Sequence, residues 1–111
     1  MEPMDIYIAN VPFDEGTGSK VRPALVIEVG KERVMVFKVT SQYQNKSTQI
    51  KKLYYPIKEW QQAGLKKQSY VDIHKLYDLS KKWVFSQQPI GKLTNLDRLA
   101  LFNFIKKAKQ K

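Results

Sequence analysis

Two apolar runs separated by a short turn constrain the fold of this chain more than any other feature. Residues 24–27 form the run Ala-Leu-Val-Ile, and residues 34–40 form the run Val-Met-Val-Phe-Lys-Val-Thr, with Gly30 in the turn between them. Runs of β-branched and aromatic residues joined through a glycine-containing turn are typical of an antiparallel β-hairpin. Because the end of one hairpin strand lies beside the start of the other, we expect Thr40 to come close to Arg22.

The rest of the chain continues the pattern of short strands and closes with a helix. We predict a half-buried strand at residues 4–11, a strand with a basic solvent face at 49–57 and a short helical turn at 58–63 that Gly64 ends. An alternating strand at 69–77, a further short strand at 83–85 and a terminal helix at about 94–109 follow. Short, closely spaced antiparallel strands curl into a barrel. The predicted fold class is therefore mainly β (α+β), an antiparallel β-barrel with a C-terminal helix, in one domain covering residues 1–111.

The terminal helix has a clear start and an unusually wide apolar surface. Thr94 has the character of an N-cap, with the acidic Asp97 three residues later. From Leu96 to Ala108, apolar residues occupy much of the helix circumference. A helix of this kind is buried on more than one side. We therefore expect it to pack against both the sheet and a second subunit.

The distribution of charge separates the two parts of the chain. The whole chain has 20 Lys+Arg and 10 Asp+Glu, a net charge of +10. Residues 1–37 contain six acids and four bases, whereas residues 38–111 contain sixteen bases and four acids, a net charge of +12 for the second part. A positive field of this kind attracts polyanions. Nucleic acid and an acidic protein are the two candidate partners.

Several classes of site and location are disfavoured by composition. The chain has no cysteine and one histidine, His74, so a disulfide or a thiolate metal site is excluded and a zinc site is not expected. Near its beginning it carries Glu2 and Asp5 without an apolar stretch, and no run of 18 apolar residues occurs. We predict a cytoplasmic protein with no membrane association, no metal and no cofactor.

The loop that leads into the hairpin is the strongest functional candidate. It contains Gly16, Gly18 and Ser19, and then presents Lys20 and Arg22 where Pro23 begins the strand. A cation at the junction of a permissive loop and a rigid strand is well placed for binding. On spacing alone, a solvated arginine in a surface loop explains the pattern equally well, and an ion pair of Arg22 with Asp14 or Glu15 is a further alternative.

Five segments of the chain carry a recognisable pattern. They are an opening Asp-Ile-Tyr strand, the Gly-Ser-Lys-Val-Arg-Pro-Ala-Leu-Val-Ile element, the strand end Val-Thr-Ser-Gln, and two tail segments, Ala-Gly-Leu-Lys-Lys-Gln-Ser and Ile-Gly-Lys-Leu; these cover residues 5–7, 18–27, 39–42, 63–69 and 90–93. Together they resemble the MazF/PemK family of toxins from bacterial toxin–antitoxin systems. The resemblance implies an SH3-like antiparallel β-barrel with a C-terminal helix. It also implies a homodimer held inactive by an antitoxin whose acidic segment occupies the RNA groove.

The resemblance further implies an activity and a set of site residues. Family members are typically metal-independent, sequence-selective endoribonucleases that cut single-stranded mRNA. By resemblance, Arg22 and Thr40 match the catalytic arginine and threonine. The loops that contact RNA in the family correspond here to the segments that carry Ser19, Lys20, Ser41 and Gln42.

One departure from the family pattern keeps alternative functions open. Where many members carry an Arg-Thr pair, this chain has Tyr77-Asp78, which leaves a second basic group unassigned. The alternatives are a non-catalytic toxin like the gyrase-poisoning relatives, and an RNA- or DNA-binding module that has lost cleavage.

Several aromatic residues and the histidine also have two interpretations. Tyr43, Tyr54 and Tyr55 fit base stacking, but aromatic residues in a small barrel are usually core or interface. Phe13 is read as a lid over the core in preference to a stacking platform, and His74 as structural in preference to catalytic.

Overall fold

The computed structural model describes residues 1–13, 17–84 and 88–109. Its six strands and two helices are, in chain order, β1 (Asp5–Pro12), β2 (Ser19–Val29), β3 (Arg33–Thr40), α1 (Thr48–Lys51), β4 (Tyr54–Pro56), β5 (Tyr70–Ser80), β6 (Gly91–Lys92) and α2 (Asn95–Lys109), with a 3-10 helix at Lys81–Trp83 before β6. The strands form one antiparallel sheet in the order β4-β5-β3-β2-β1-β6. The sheet curls into a half-barrel, and the predicted mainly β fold with a C-terminal helix is confirmed.

The central hairpin forms as predicted because both of its strands are buried on two faces. Leu25 and Phe37 belong to a first apolar cluster, which also contains Leu101 of α2. Val26 and Val36 belong to a second cluster on the opposite face of the sheet. Residues that alternate along a strand point to opposite faces, so a continuous apolar run fits a strand covered on both sides. The same holds for β1, which we expected to be only half-buried: its Ile6 lies in the first cluster and its Tyr7 in the second.

Two predicted strands are wrong. Residues 49–57 were expected to form one strand, but Thr48–Lys51 is a short helix capped by the Ser47 hydroxyl, and only Tyr54–Pro56 is a strand. The helix forms because Ser47 accepts the Ile50 N–H at its start. Of the expected strand at 83–85, Trp83 ends the 3-10 helix and Val84 makes an isolated bridge to Ala9, whereas Phe85 lies outside the described residues.

A close approach between Gly64 and Gly91 places the turn after β4 against β6. Residues 58–64 form successive turns, and Gly64 ends them with φ +89°. A Cβ on Gly91 would lie 1.8 Å from the carbonyl oxygen of Ala63, and a Cβ on Gly64 would lie 2.2 Å from that of Ile90. Only glycine fits at either position. The contact lets β6, which was not predicted, pair with the edge of β1.

The helix α2 begins at the predicted cap and buries one side. The Thr94 hydroxyl accepts the Asp97 N–H, while Leu101 is buried and Ala100, Phe104 and Ile105 pack against the first cluster. None of the described helices has the length and apolar character needed to span a bilayer.

Candidate nucleic-acid interface

The face of the central hairpin that carries the second apolar cluster changes from apolar to cationic toward one end of the sheet. On β2, Val26 and Ala24 lie in the second cluster, and Arg22 and Lys20 follow at the same period of two. On β3, Val36 lies in that cluster and is followed by Lys38 and Thr40. The apolar part anchors the sheet, so the polar side chains at its end are carried by rigid strands.

The strand register explains why Arg22 and Thr40 come together. Ala24 pairs with Lys38, the last pair recorded between β2 and β3. Pro23 has no N–H to continue the ladder, but two more residues of the same antiparallel register set Arg22 opposite Thr40. On its other side Arg22 pairs with Ala9 of β1, so its backbone is fixed.

Arg22 and Thr40 line the same cavity, which we call the Arg22 cavity. Its volume is about 220 Å³, and its described lining consists of Pro12, Phe13, Lys20, Arg22, Lys38, Thr40, Gln42, Lys46 and Tyr54. A neighbouring depression of about 180 Å³ shares Lys20, Arg22, Thr40 and Gln42, and adds Ser41. Four of the lining side chains are cationic, and none of the described lining residues of either cavity is a carboxylate or an imidazole. The cavity therefore suits an anion.

The two predicted catalytic residues differ in how their polar atoms are satisfied. Nε of Arg22 is buried and has no hydrogen-bond partner among the described residues. Oγ1 of Thr40 accepts the N–H of Gln42 at 3.0 Å, which fixes the hydroxyl and leaves its proton available to donate. A buried donor without a partner costs about 1–3 kcal/mol. An anion that accepts from Arg22 would recover this cost.

The predicted RNA-contacting residues are only partly gathered around this cavity. Lys20 and Gln42 line both depressions and Ser41 lines the shallower one, whereas Ser19 lies exposed at the start of β2, opposite Pro12, and outside the described lining of both. The alternative partners of Arg22, Asp14 and Glu15, lie outside the described residues. The catalytic and RNA-binding roles stay predictions.

The cavity also contains residues that the sequence analysis did not single out as site residues. Lys38 carried a usable signal, since it stands two residues before Thr40 and alternation puts both on one face. Lys46 and Phe13 come from loops, where spacing carries no such information. Phe13 lies 3.3 Å from where a Cβ on Gly18 would stand, so its ring borders the loop as well as the cavity.

Three tyrosines extend the site beyond the cavity. The rings of Tyr43 and Tyr70 stack with centroids 4.4 Å apart and an interplanar angle of 11°, and Tyr54 is tilted against both at 6.3 and 6.5 Å. The ammonium of Lys51 lies 4.9 Å from the Tyr43 centroid. Tyr55, by contrast, is buried and its hydroxyl donates to Asp97, so the core interpretation is the correct one for Tyr55.

The remaining candidates lie away from the cavity. His74 is exposed, and its backbone N–H donates to the Asp72 carboxylate at 2.9 Å. Asp78, at the other end of β5, forms an ion pair with Arg33, in which Oδ1 of Asp78 lies 2.8 Å from Nε of Arg33. Tyr77 lies in the second apolar cluster. The Tyr77-Asp78 pair is therefore remote from Arg22.

Two further observations limit where the site can be. A mostly apolar cavity of about 480 Å³ opens on the first face of the sheet, between Pro23, Val39 and Leu65, but lysines 66 and 67 are the only charged residues in its described lining. Within the described ranges, no three His, Asp or Glu side chains are clustered so that they could hold a metal ion.

A family model and a solved structure both indicate similarity to the same group of proteins. The family model described as PemK-like, MazF-like toxin of type II toxin–antitoxin systems matches residues 2–107. The fold is similar to that of the Mycobacterium tuberculosis toxin MazF-mt6, with a TM-score of 0.67 and 21% sequence identity over 94% of both chains. No curated protein matches the chain at a significant level.

Proposed function

The chain belongs to the PemK-like, MazF-like toxins of type II toxin–antitoxin systems, and on that premise we propose that it is a metal-independent endoribonuclease of single-stranded mRNA in the cytoplasm. The observation that carries the proposal is the buried Nε of Arg22, which has no hydrogen-bond partner among the described residues, in a cationic cavity that Arg22 shares with Thr40. The guanidinium is permanently charged, and its planar fork matches two oxygens of one phosphate.

The reaction needs no metal when RNA supplies its own nucleophile. The 2′-OH attacks the adjacent phosphorus, a P–O bond forms, and the bond to the 5′-oxygen of the next nucleotide breaks. The products are a 2′,3′-cyclic phosphate and a 5′-OH end; the proton lost from the 2′-OH balances the one gained by the leaving oxygen. The protein's task is to hold the strand in line and to stabilise the charge of the phosphorane.

Arg22 and Thr40 divide that task. Arg22 donates to the phosphate oxygens, where negative charge develops. The Thr40 hydroxyl donates a hydrogen bond to a phosphate oxygen or hydrogen-bonds the 2′-OH, while the Gln42 N–H holds it in place. With no carboxylate or imidazole in the described lining, catalysis depends on positioning and electrostatic stabilisation. Lys20, Ser41 and Gln42 contact the flanking nucleotides, and Ser19 meets the strand where it leaves the groove.

Arg22→Ala tests the activity. Purified protein is incubated with single-stranded RNA of varied sequence in EDTA, and product ends are analysed for cyclic phosphate. We expect a rate loss of roughly 10²–10³, about 2.7–4 kcal/mol, the effect typical of removing one donor to a developing anion. Arg33→Ala is the matched control, since Arg33 is exposed at the far end of the hairpin. RNA that stays intact under all conditions would sink the proposal and favour a binding-only toxin.

A homodimer is proposed through the outer side of α2. Leu96, Leu99 and Phe102 are 50%, 58% and 46% exposed and follow one another at a spacing of three residues, so they form one apolar stripe along the helix. Apolar side chains grouped in this way commonly mark a protein interface. A second copy of the chain is the occupant we propose.

The antitoxin is proposed to bind where RNA binds. An acidic segment would meet the four cations of the Arg22 cavity and exclude the phosphate by occupying the same space. An aspartate- and glutamate-rich peptide should then inhibit cleavage competitively and lose affinity for Arg22→Ala. Inhibition that is non-competitive with RNA would argue against a shared site.

A further inference from the structure

A largely buried ion pair borders the Arg22 cavity. Nζ of Lys38 lies 3.3 Å from Oδ2 of Asp72, and the two side chains are 14% and 6% exposed. Lys38 lines the cavity together with Arg22 and Thr40, and Asp72 lies directly opposite it on β5. One end of the pair therefore meets the proposed substrate site, and the other end belongs to the sheet.

The pair is fixed more firmly than an ordinary surface ion pair. The other carboxylate oxygen of Asp72, Oδ1, accepts the His74 N–H at 2.9 Å, and Asp72 pairs with Tyr54 of β4. Strand pairing thus fixes the backbone of Asp72, the His74 N–H holds one oxygen of its carboxylate, and the other oxygen contacts the Lys38 ammonium. An ammonium has three donors, and Asp72 accounts for one of them.

A role in stability alone explains this pair poorly. Removing two charges from water is expensive, and replacing a buried ion pair with apolar residues is often neutral or stabilising. On the same face of the sheet, Val36 stands two residues before Lys38 and Ala24 lies opposite Lys38 on β2, and both belong to the second apolar cluster. A pair of apolar residues would therefore serve packing at least as well.

We propose that Lys38 is a second cationic contact to the RNA phosphate that Arg22 binds, and that Asp72 is the positioning residue that holds Lys38 there. The inference rests on the proposed function and extends it to a residue that the family resemblance does not assign. The cavity is small, about 220 Å³, so a phosphate in contact with Arg22 lies within reach of Lys38. Two cations on one phosphate share the charge that develops on its oxygens.

The first experiment compares Lys38→Met with Lys31→Met. Lys31 is exposed in the turn at the opposite end of the hairpin and serves as the matched control. With RNA in EDTA, we expect Lys38→Met to lose roughly 10²-fold in cleavage rate and Lys31→Met to retain the wild-type rate. Binding is measured separately with a 2′-O-methyl RNA that cannot react.

The salt dependence of that binding identifies a phosphate contact directly. Each phosphate contact to a single strand contributes about 0.7 to the slope of log K against log salt. We expect the slope for Lys38→Met to fall by about 0.7 relative to wild type, and the slope for Asp72→Asn to fall by a smaller amount. A purely structural ion pair would leave the slope unchanged in every variant that folds.

The double variant Lys38→Met/Asp72→Leu separates positioning from packing. It replaces the pair with apolar residues, so we expect it to unfold near the wild-type temperature while keeping the low cleavage rate and the reduced slope. A double variant that cleaves like wild type would overturn the inference, as would a Lys38→Met protein with normal rate and slope.

The two proposals fail in different ways. If wild type cleaves RNA and Arg22→Ala does not, but Lys38→Met is unaffected, only the role of Lys38 is wrong. If wild type binds RNA without cutting it, the endoribonuclease is wrong and the salt slope still tests Lys38. A protein that neither binds nor cleaves RNA would overturn both.

Discussion

Asp97 is the residue whose replacement should cost the most stability for the smallest change in shape. It is completely buried, and its carboxylate accepts three hydrogen bonds, one from β4 and two from the turn that follows β4. Oδ1 accepts the Tyr55 hydroxyl and the Lys58 N–H, and Oδ2 accepts the Glu59 N–H at 2.8 Å. Asp97 therefore adds a polar connection between α2 and β4 to the apolar packing of the helix on the sheet.

The cost of Asp97→Asn follows from counting these donors. An amide keeps one oxygen, which can serve Tyr55 and Lys58, but turns an NH₂ group toward the Glu59 N–H. One charge-assisted hydrogen bond is lost, worth about 1.5–3 kcal/mol, and a buried donor is left unpaired. We expect a total loss near 3 kcal/mol, which for a chain of this length lowers Tm by about 12 °C.

Urea unfolding followed by tryptophan fluorescence measures this loss, with the shift in midpoint at constant slope taken as the change in stability. Asp78→Asn is the control, because its ion pair with Arg33 is 54% and 57% exposed and such pairs contribute at most about 1 kcal/mol. If Asp97→Asn and Asp78→Asn had equal midpoints, the reasoning from buried donors would be refuted.

Three more outcomes are expected. Gly91→Ala should destabilise the protein by about 1–3 kcal/mol or more, because its Cβ would overlap the Ala63 carbonyl, while Gly30→Ala, whose Cβ would meet Arg33 O at 3.2 Å, should cost less; equal melting temperatures would contradict this. Leu99→Lys should convert the proposed dimer to a monomer in analytical ultracentrifugation, and a sedimentation coefficient equal to that of the wild type would contradict an interface on α2. Burial and the hydrogen bond to Asp97 raise the pKa of Tyr55, so the folded state retains its proton where the unfolded state loses it, and stability should fall as pH rises above about 10; Tyr55→Phe should show a shallower fall in alkaline denaturation.

The central hairpin and the terminal helix could be predicted because their signals are local. Apolar runs on either side of Gly30 specify β2 and β3, and the hydroxyl of Thr94 specifies the start of α2. The proximity of Arg22 and Thr40 follows from antiparallel register alone. These features depend on residues near one another in the chain, so the sequence by itself determined them.

The missed helix α1 had a local signal in its Ser47 cap, but two other features depend on contacts between distant residues. β6 exists because Gly91 can approach Ala63, and the acid expected to cap its own helix, Asp97, instead binds a segment 38 residues away. The positions of Gly91 and Asp97 in the sequence do not indicate which residues they contact. Their roles are set by which surfaces meet when the sheet curls.

The residues of the candidate site also differ in whether the sequence or the tertiary structure determines their position. Sequence alone determined that Arg22 directly precedes Pro23 and the buried apolar run. The strand itself was expected to begin at Pro23, but β2 begins at Ser19, so Arg22 lies within the strand and not where the loop meets it. Only the tertiary structure decided that Lys38 faces the same cavity with Asp72 behind it, because these two residues are 34 positions apart in the chain and β3 and β5 pair through a bulge between Phe37 and Lys38. A buried lysine requires a partner of opposite charge, and here that partner lies on a strand that is distant in the sequence and adjacent only in the folded sheet.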